Sequence, residues 1–180
     1  MTQPLGFGFL WAGRLSCDFN SSWIQKAITS QLVPNMDQMK SFLEKWNPSG
    51  RVLIEEWGFL FHCLQRLPAH QQLMVNLREV PRWEGADDLI ERQTTHPGLD
   101  INWSRIKNHV AFNREDVSAN NAVLWDSLSQ GGLVFGFKSE NWEQALEDLK
   151  KMGYDRASLV GCIRPKRKGN DVVLSDWSPT

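Results

Sequence analysis

Tyrosine occurs once in the 180 residues and cysteine three times. Cys17, Cys63 and Cys162 are widely spaced, odd in number and form no CxxC pair. That spacing excludes a zinc cage or a disulfide framework and favours a reducing compartment. No apolar run approaches the roughly 20 residues of a membrane-spanning helix, which excludes such a span. The apolar opening Met1–Trp11 lacks a basic leader and a small-residue cleavage site, so it does not read as a signal peptide. Formal net charge is only −1, so no global field draws the chain to nucleic acid or membrane. These absences point to a cytoplasmic domain with no nucleic-acid and no membrane partner, and they say nothing of its task.

What is present is ordinary globular material: 41% hydrophobic and 23% charged residues. A chain this long buries roughly two-thirds of its unfolded surface and folds without a staple. Nine tryptophans are unusual and point to no function by themselves. No repeat, low-complexity stretch or linker divides the chain, so residues 1–180 read as a single domain. Its abrupt apolar start suggests a piece of something longer.

The glycine-spaced Pro4–Trp11 segment reads as a strand end or loop entering buried structure. Ser21 and Ser22 can cap a helix carrying Trp23, Ile24, Ala27, Ile28 and Leu32 at helical spacing. Pro34 breaks it. A second helix fits 35–46, with Met36, Met39, Phe42, Leu43 and Trp46 on one face, and Asn47-Pro48-Ser49-Gly50 is a turn. Arg51–Ile54 is a short strand, Trp57–Leu67 a helix and Leu73–Leu77 a strand. Residues 78–120 are the least readable. They hold a short helix near 85–92, a turn at His96-Pro97-Gly98 and a helix around 103–109, with loops or a flexible segment as the alternative. Ala122–Trp125 and Leu133–Phe137 are strands around a Ser/Gly-rich loop. Ser139 caps an amphipathic helix over 140–152, acidic early and basic late as the helix dipole favours, with Gly153 at the left-handed cap position. Ser158–Ile163 and Asp171–Leu174 close the chain as strands. The pattern gives an α+β domain, a mixed sheet with covering helices.

Three stretches have residue types suited to chemistry. In Asp126-Ser127-Leu128-Ser129-Gln130-Gly131-Gly132, paired glycines permit close backbone approach, and backbone amides can cradle an anion. The bland alternative is a tight turn. Glu55 and Glu56 offer adjacent oxygen donors for a hard cation such as magnesium, or simply a favourable acidic first turn. His62 and the cysteines fit packed core or plain surface better than catalysis. Arg164–Lys168 could meet phosphate but fits a solvated hairpin flank better.

Taken in order, these pieces resemble one family. Gln3-Pro4-Leu5-Gly6-Phe7-Gly8 resembles the KPLGTG segment that opens the C-terminal domain of selenide, water dikinases (selenophosphate synthetases). Trp23–Leu43, with Asn35 inside it, resembles the helical region that follows. Leu53–His62 resembles DVTGFGLLGH, and Asp126–Leu133 resembles DPQTSGGL. Leu133–Ile163 resembles the closing strand, helix and AGY…IIGRV strand. The resemblance covers nearly the whole chain. It implies a three-layer α/β/α domain with a mixed sheet, like the C-terminal domain of aminoimidazole ribonucleotide synthetase. It also implies ATP and magnesium as family cofactors, with nucleotide near Asp126, Gly131, Gly132, Gly6 and Gly8, and a catalytic N-terminal synthetase domain outside this chain.

The departures cut against the chemistry. The aspartate of DVTGFG aligns with Leu53, which cannot ligate magnesium. Glu55 or Glu56 would have to substitute from another register. The first glycine of that motif is Glu56, and only Gly58 remains. No catalytic residue is assigned within this chain. Two readings stay open: half of an ATP-dependent phosphotransferase, inactive alone, or a silent structural or regulatory domain. The silent domain would pair with a second copy or with a fused pyridine-nucleotide-dependent flavoprotein oxidoreductase, as some family members are arranged.

Overall fold

The computed structural model describes residues 7–12, 36–53, 57–81, 97–113, 124–125, 133–138 and 140–175. Among them seven strands form one sheet: β1 (Phe7–Ala12), β2 (Gly50–Leu53), β3 (Gln71–Asn76), β4 (Val110–Phe112), β5 (Leu133–Lys138), β6 (Ser158–Pro165) and β7 (Val172–Ser175). Four α-helices accompany them: α1 (Met36–Trp46), α2 (Gly58–Arg66), α3 (Pro97–Ile106) and α4 (Trp142–Lys151). The strand order is β2-β5-β1-β6-β3-β7-β4. Neighbours are antiparallel from β2 to β3, and β3, β7 and β4 run parallel. The sheet is therefore mixed.

Alternation along β5 shows the layers. Leu133, Phe135 and Phe137 pack with Met39 and Phe42 of α1 and with Ala145 and Leu149 of α4. Val134, between them, packs on the opposite face with Phe59, Leu60 and Cys63 of α2 and Ile106 of α3. Successive side chains of a strand point to opposite faces, so the sheet is sandwiched between α1/α4 and α2/α3. This is the expected three-layer α+β arrangement.

The helix stops are local chemistry. Gly153, at φ 96°, donates to Lys150 O, while Tyr154 N donates to Leu149 O. That pair of bonds is a Schellman cap, and Tyr154 and Leu149 share the same apolar cluster. α1 ends where Asn47 turns left-handed at φ 40° ahead of Pro48. Ser49 then docks β2 on β5, its Oγ and its amide both donating to Gly136 O.

β6 has a bulge. Its pairing with β1 passes from Phe9↔Gly161 to Leu10↔Leu159, leaving Val160 as the extra residue. Leu159 thus packs on the α1/α4 side and Ile163 on the α2/α3 side, although even spacing alone would put them on one face. Beside the bulge, a Cβ on Gly161 would lie 2.2 Å from the Met74 carbonyl oxygen.

Several expectations change. Leu124 and Trp125 lie in a 3₁₀ turn, not a strand, because Gly58 and Asn102 hold their main chain. His96-Pro97-Gly98 is not a free turn, since Pro97 starts α3, where its missing N–H costs nothing. The helix placed around 103–109 is the end of α3 plus one 3₁₀ turn, and β4 follows unforeseen. α4 starts at Trp142, with Asn141 at the N-cap and no side-chain cap bond. β6 and β7 form no simple hairpin, because β3 lies between them. The expected helices at 23–32 and 85–92 lie outside the described residues. No helix among the described residues is long and apolar enough to cross a membrane.

Candidate functional site

Register places two of the sequence segments at one end of the sheet. Leu53, the last residue of β2, pairs with Leu133, the first of β5. The end of β2 therefore lies beside the start of β5. A second junction joins the same segments. Gly58 opens α2 at φ +75°, and a Cβ there would lie 2.7 Å from Trp125 Cα and 2.9 Å from Leu124 O. Only glycine allows that approach and that φ together. Asp126 is the next residue in the chain.

Helix α3 touches both sides of the second junction. Asn102, 3% exposed, donates from Nδ2 to the Trp125 carbonyl at 2.9 Å. The Trp103 ring lies on the Trp125 indole at 4.7 Å and near Phe112 at 6.0 Å. The Arg105 guanidinium sits 4.1 Å over Trp57, which in turn packs on Phe61 at 5.5 Å. Guanidinium over an indole is a favourable electrostatic contact. Three of the nine tryptophans thus gather where the two segments meet.

Asp126, Gly131, Gly132, Gly6, Glu55 and Glu56 lie outside the described residues. Gly8 lies in β1, paired with Phe137 and Cys162. The Leu133 end of β5 pairs with Ala12, so Gly8 is four strand residues away, about 13 Å at the usual rise. The structure therefore brings Leu53 beside Leu133 and Gly58 against Leu124 and Trp125, and leaves Gly8 apart from Leu133.

The position that resembles a metal-binding aspartate is Leu53, in register with Leu133. Among the described residues, no group of three or more His, Cys, Asp or Glu is placed to hold an ion. Burial pushes the Cys63 thiol far up, against a weaker pull down from Arg66, so it stays a protonated core group. His62 is buried with its ring edge-on to Phe61 at 6.1 Å.

The opposite end of the sheet is ionic. Asp171 accepts from Lys166 Nζ at 2.6 Å and contacts His109 Nδ1 at 2.6 Å. The Lys166 and His109 bonds hold its carboxyl below the usual range. Arg164 Nε donates to Gln72 Oε1 at 2.8 Å, and Gln72 Nε2 donates to Asn170 O at 2.6 Å. The Arg164–Lys168 run is therefore partly used in joining β6, β3 and β7. A third feature is a groove of about 380 Å³ between α1 and α4, lined by Phe42, Trp46 and Met152 with Lys45, Lys151 and Asp148 at its rim.

Sequence reading passed over Asn102, Trp103, Arg105 and Trp125. A signal existed. Leu99, Trp103 and Ile106 form an apolar helical stripe, and Asn102 falls within it. A polar residue in such a stripe marks a buried hydrogen bond.

No protein-family profile matches the sequence. The chain is 23% identical over 179 residues to a selenide, water dikinase of Clostridioides difficile (strain 630), covering 97% of this chain and 50% of that protein. It is 20% identical over 167 residues to a selenide, water dikinase of Aliarcobacter butzleri (strain RM4018), covering 92% of this chain and 48% of that one. The chain spans about half the length of these curated relatives. Its fold matches a crystal structure of thiamine-monophosphate kinase from Stenotrophomonas maltophilia K279a. That match has a TM-score of 0.58 at 12% identity, over 95% of this chain and 50% of the other. The chain thus has the aminoimidazole ribonucleotide synthetase-like fold and resembles half of a selenide, water dikinase.

Proposed function

We propose that this chain is the C-terminal half of a selenide, water dikinase-like phosphotransferase, closing over a nucleotide held mainly by an N-terminal synthetase domain. The observation that carries the reading is the pair of described contacts that flank the two resembling stretches, Leu53 with Leu133 and Gly58 with Leu124 and Trp125. Phosphoryl transfer depends chiefly on positioning and charge stabilisation, so a half-site of loops on a rigid sheet suits it. In this reading the Gly131–Gly132 amides face phosphate and Asp126 orients the nucleotide. Gly6 and Gly8 contribute only if the other domain bridges the sheet's length. Glu55 and Glu56, two and three residues along the sequence from Leu53, would be the substitute oxygen donors for the lost aspartate. Leu53 has no oxygen donor and does not fit a magnesium site. ATP and magnesium would be supplied to a composite site, with little bound by this half alone.

The experiment is calorimetric titration of ATP, with and without magnesium, into this chain and into the longest natural form containing it. Binding is expected in the long form, weakened about tenfold by Asp126→Ala, as for loss of a charged hydrogen-bond partner. A long form that is folded and silent sinks the reading.

One observation favours a second reading. Leu53 replaces the residue whose oxygen the chemistry needs, as in a scaffold that has outlived its site. Such a domain would hold an interface with a second copy or with a fused oxidoreductase, insensitive to ATP. Failure of the long form to bind nucleotide, together with a stable ATP-independent assembly, selects it.

A further inference from the structure

One sheet end gathers cations that are far apart in sequence. β3, β7 and β4 are parallel and start there, and antiparallel β6 finishes there, with Pro165 paired to Gln71. The stretches 66–70, 107–109 and 164–171 lead from α2 to β3, from α3 to β4 and from β6 to β7 at that end. Together they hold six of the chain's 20 Lys and Arg residues and only one of its 21 Asp and Glu residues, Asp171. The three stretches are tied to one another. Lys166 N donates to His70 O at 2.8 Å, and Asn170 Nδ2 donates to Asn108 O at 3.3 Å. Asp171 contacts both Lys166 Nζ and His109 Nδ1 at 2.6 Å, so the one acid is already engaged within the face. Lys107, Arg167 and Lys168 are exposed and meet no acid among the described residues.

We infer that this face binds the phosphate backbone of a nucleic-acid duplex. The chain's net charge of −1 averages the face away, but a partner does not meet the average: at physiological salt a charge is felt over only about 8 Å. The hairpin flank expected of 164–168 is instead a crossing, since β3 lies between β6 and β7, and the crossing brings the basic run beside the His70 turn. Width argues against a single small anion. From β6 to β4 there are three strand spacings, about 14 Å, and phosphates advance about 3.4 Å along each strand of a duplex, so about four span the face. Side-chain chemistry argues against unpaired bases, which bind by stacking on aromatic rings. The exposed large hydrophobic side chains among the described residues, Ile101 and Phe112, lie outside the three stretches. Lysine and arginine on joined turns hold backbone and carry no sequence preference. Nucleotide at the other end of the sheet is not required.

The test uses the longest natural form of the protein and a fluorescein-labelled DNA duplex of mixed sequence, read by anisotropy across a salt series. Binding is expected in the micromolar range at about 0.05 M salt, with a slope of log affinity against log salt of about −3 to −4. Arg167→Ala combined with Lys168→Ala removes two cations from an exposed turn. The pair should weaken binding about tenfold or more at about 0.1 M salt and flatten the slope by about two. Lys150→Ala combined with Lys151→Ala removes the same charge from the end of α4 and should leave affinity within about twofold. Circular dichroism checks that both double variants fold. No duplex binding, a slope near zero, or equal losses from the two double variants overturns the inference. Tighter binding of poly-glutamate, or of vesicles containing an anionic lipid, than of the duplex at equal charge also overturns it, and assigns the face to an acidic protein segment or to a membrane surface.

Discussion

Around the start of α2, contacts are main-chain and aromatic: Gly58 against the Leu124–Trp125 backbone, Trp103 on Trp125, Arg105 over Trp57. At the opposite end they are ionic: Lys166 and His109 on Asp171, and Arg164 on Gln72. The first kind depends on shape, since a single methyl group has nowhere to go. The second depends on charge in contact with solvent, where pairing is weak and screened. The sheet end where the resembling segments meet is thus the one built by close packing. That suits a surface that must hold loop geometry to within fractions of an ångström.

The sharpest way to break this contrast is Gly161→Ala, beside the bulge and on the packed side. Its methyl would meet the Met74 carbonyl inside the sheet, and neither backbone can yield freely. A loss of about 4 kcal/mol in urea unfolding is expected. Gly58→Ala comes next, combining a positive φ with backbone contact. It should cost about 3 kcal/mol and also weaken nucleotide binding in the long form. A cost below about 1 kcal/mol for either would show that the packed end yields after all.

Asp171→Asn probes the ionic end and should cost only about 1 kcal/mol at neutral pH. The folded carboxyl is held low by Lys166 and His109. Its stabilisation is therefore complete above the unfolded carboxyl value of about 3.9 and is lost as pH falls through the lower folded value. Denaturation of variant and parent should converge in acid, and a gap that widens there would contradict the assignment. The smallest effect is that of salt. Raising ionic strength from about 0.1 to about 1 M should speed hydrogen exchange modestly in β4 and β7 and leave the first turn of α2 unchanged.

Much of the fold was legible because it is written locally. α1 shows Met39, Phe42, Leu43 and Trp46 at helical spacing, and α4 shows its charge order and Gly153. The strands at 71–76, 133–138 and 158–165 are short apolar runs bounded by turns. α3 was misplaced because Pro97-Gly98 reads as a turn when its context is ignored. β4 was missed because three residues carry no period. Leu124-Trp125 reads as strand by composition, yet partners distant in sequence bend it into a turn. Of the candidate site, the glycine-bearing segments were visible as segments. Their meeting was not, since it follows from the Leu53↔Leu133 register and the Gly58 contact.

The sequence by itself determined the type of most elements, the stops of α1 and α4, the α+β class and the resemblance to half a selenide, water dikinase. Periodicity, capping and composition act over a few residues, so they can be read from a few residues. Only the tertiary structure decided that β3 splits β6 from β7, that a bulge turns Leu159 and Ile163 to opposite faces, and that Asn102 holds Trp125. Those outcomes are settled by which strand edges pair and which backbones approach, over separations that no local pattern encodes.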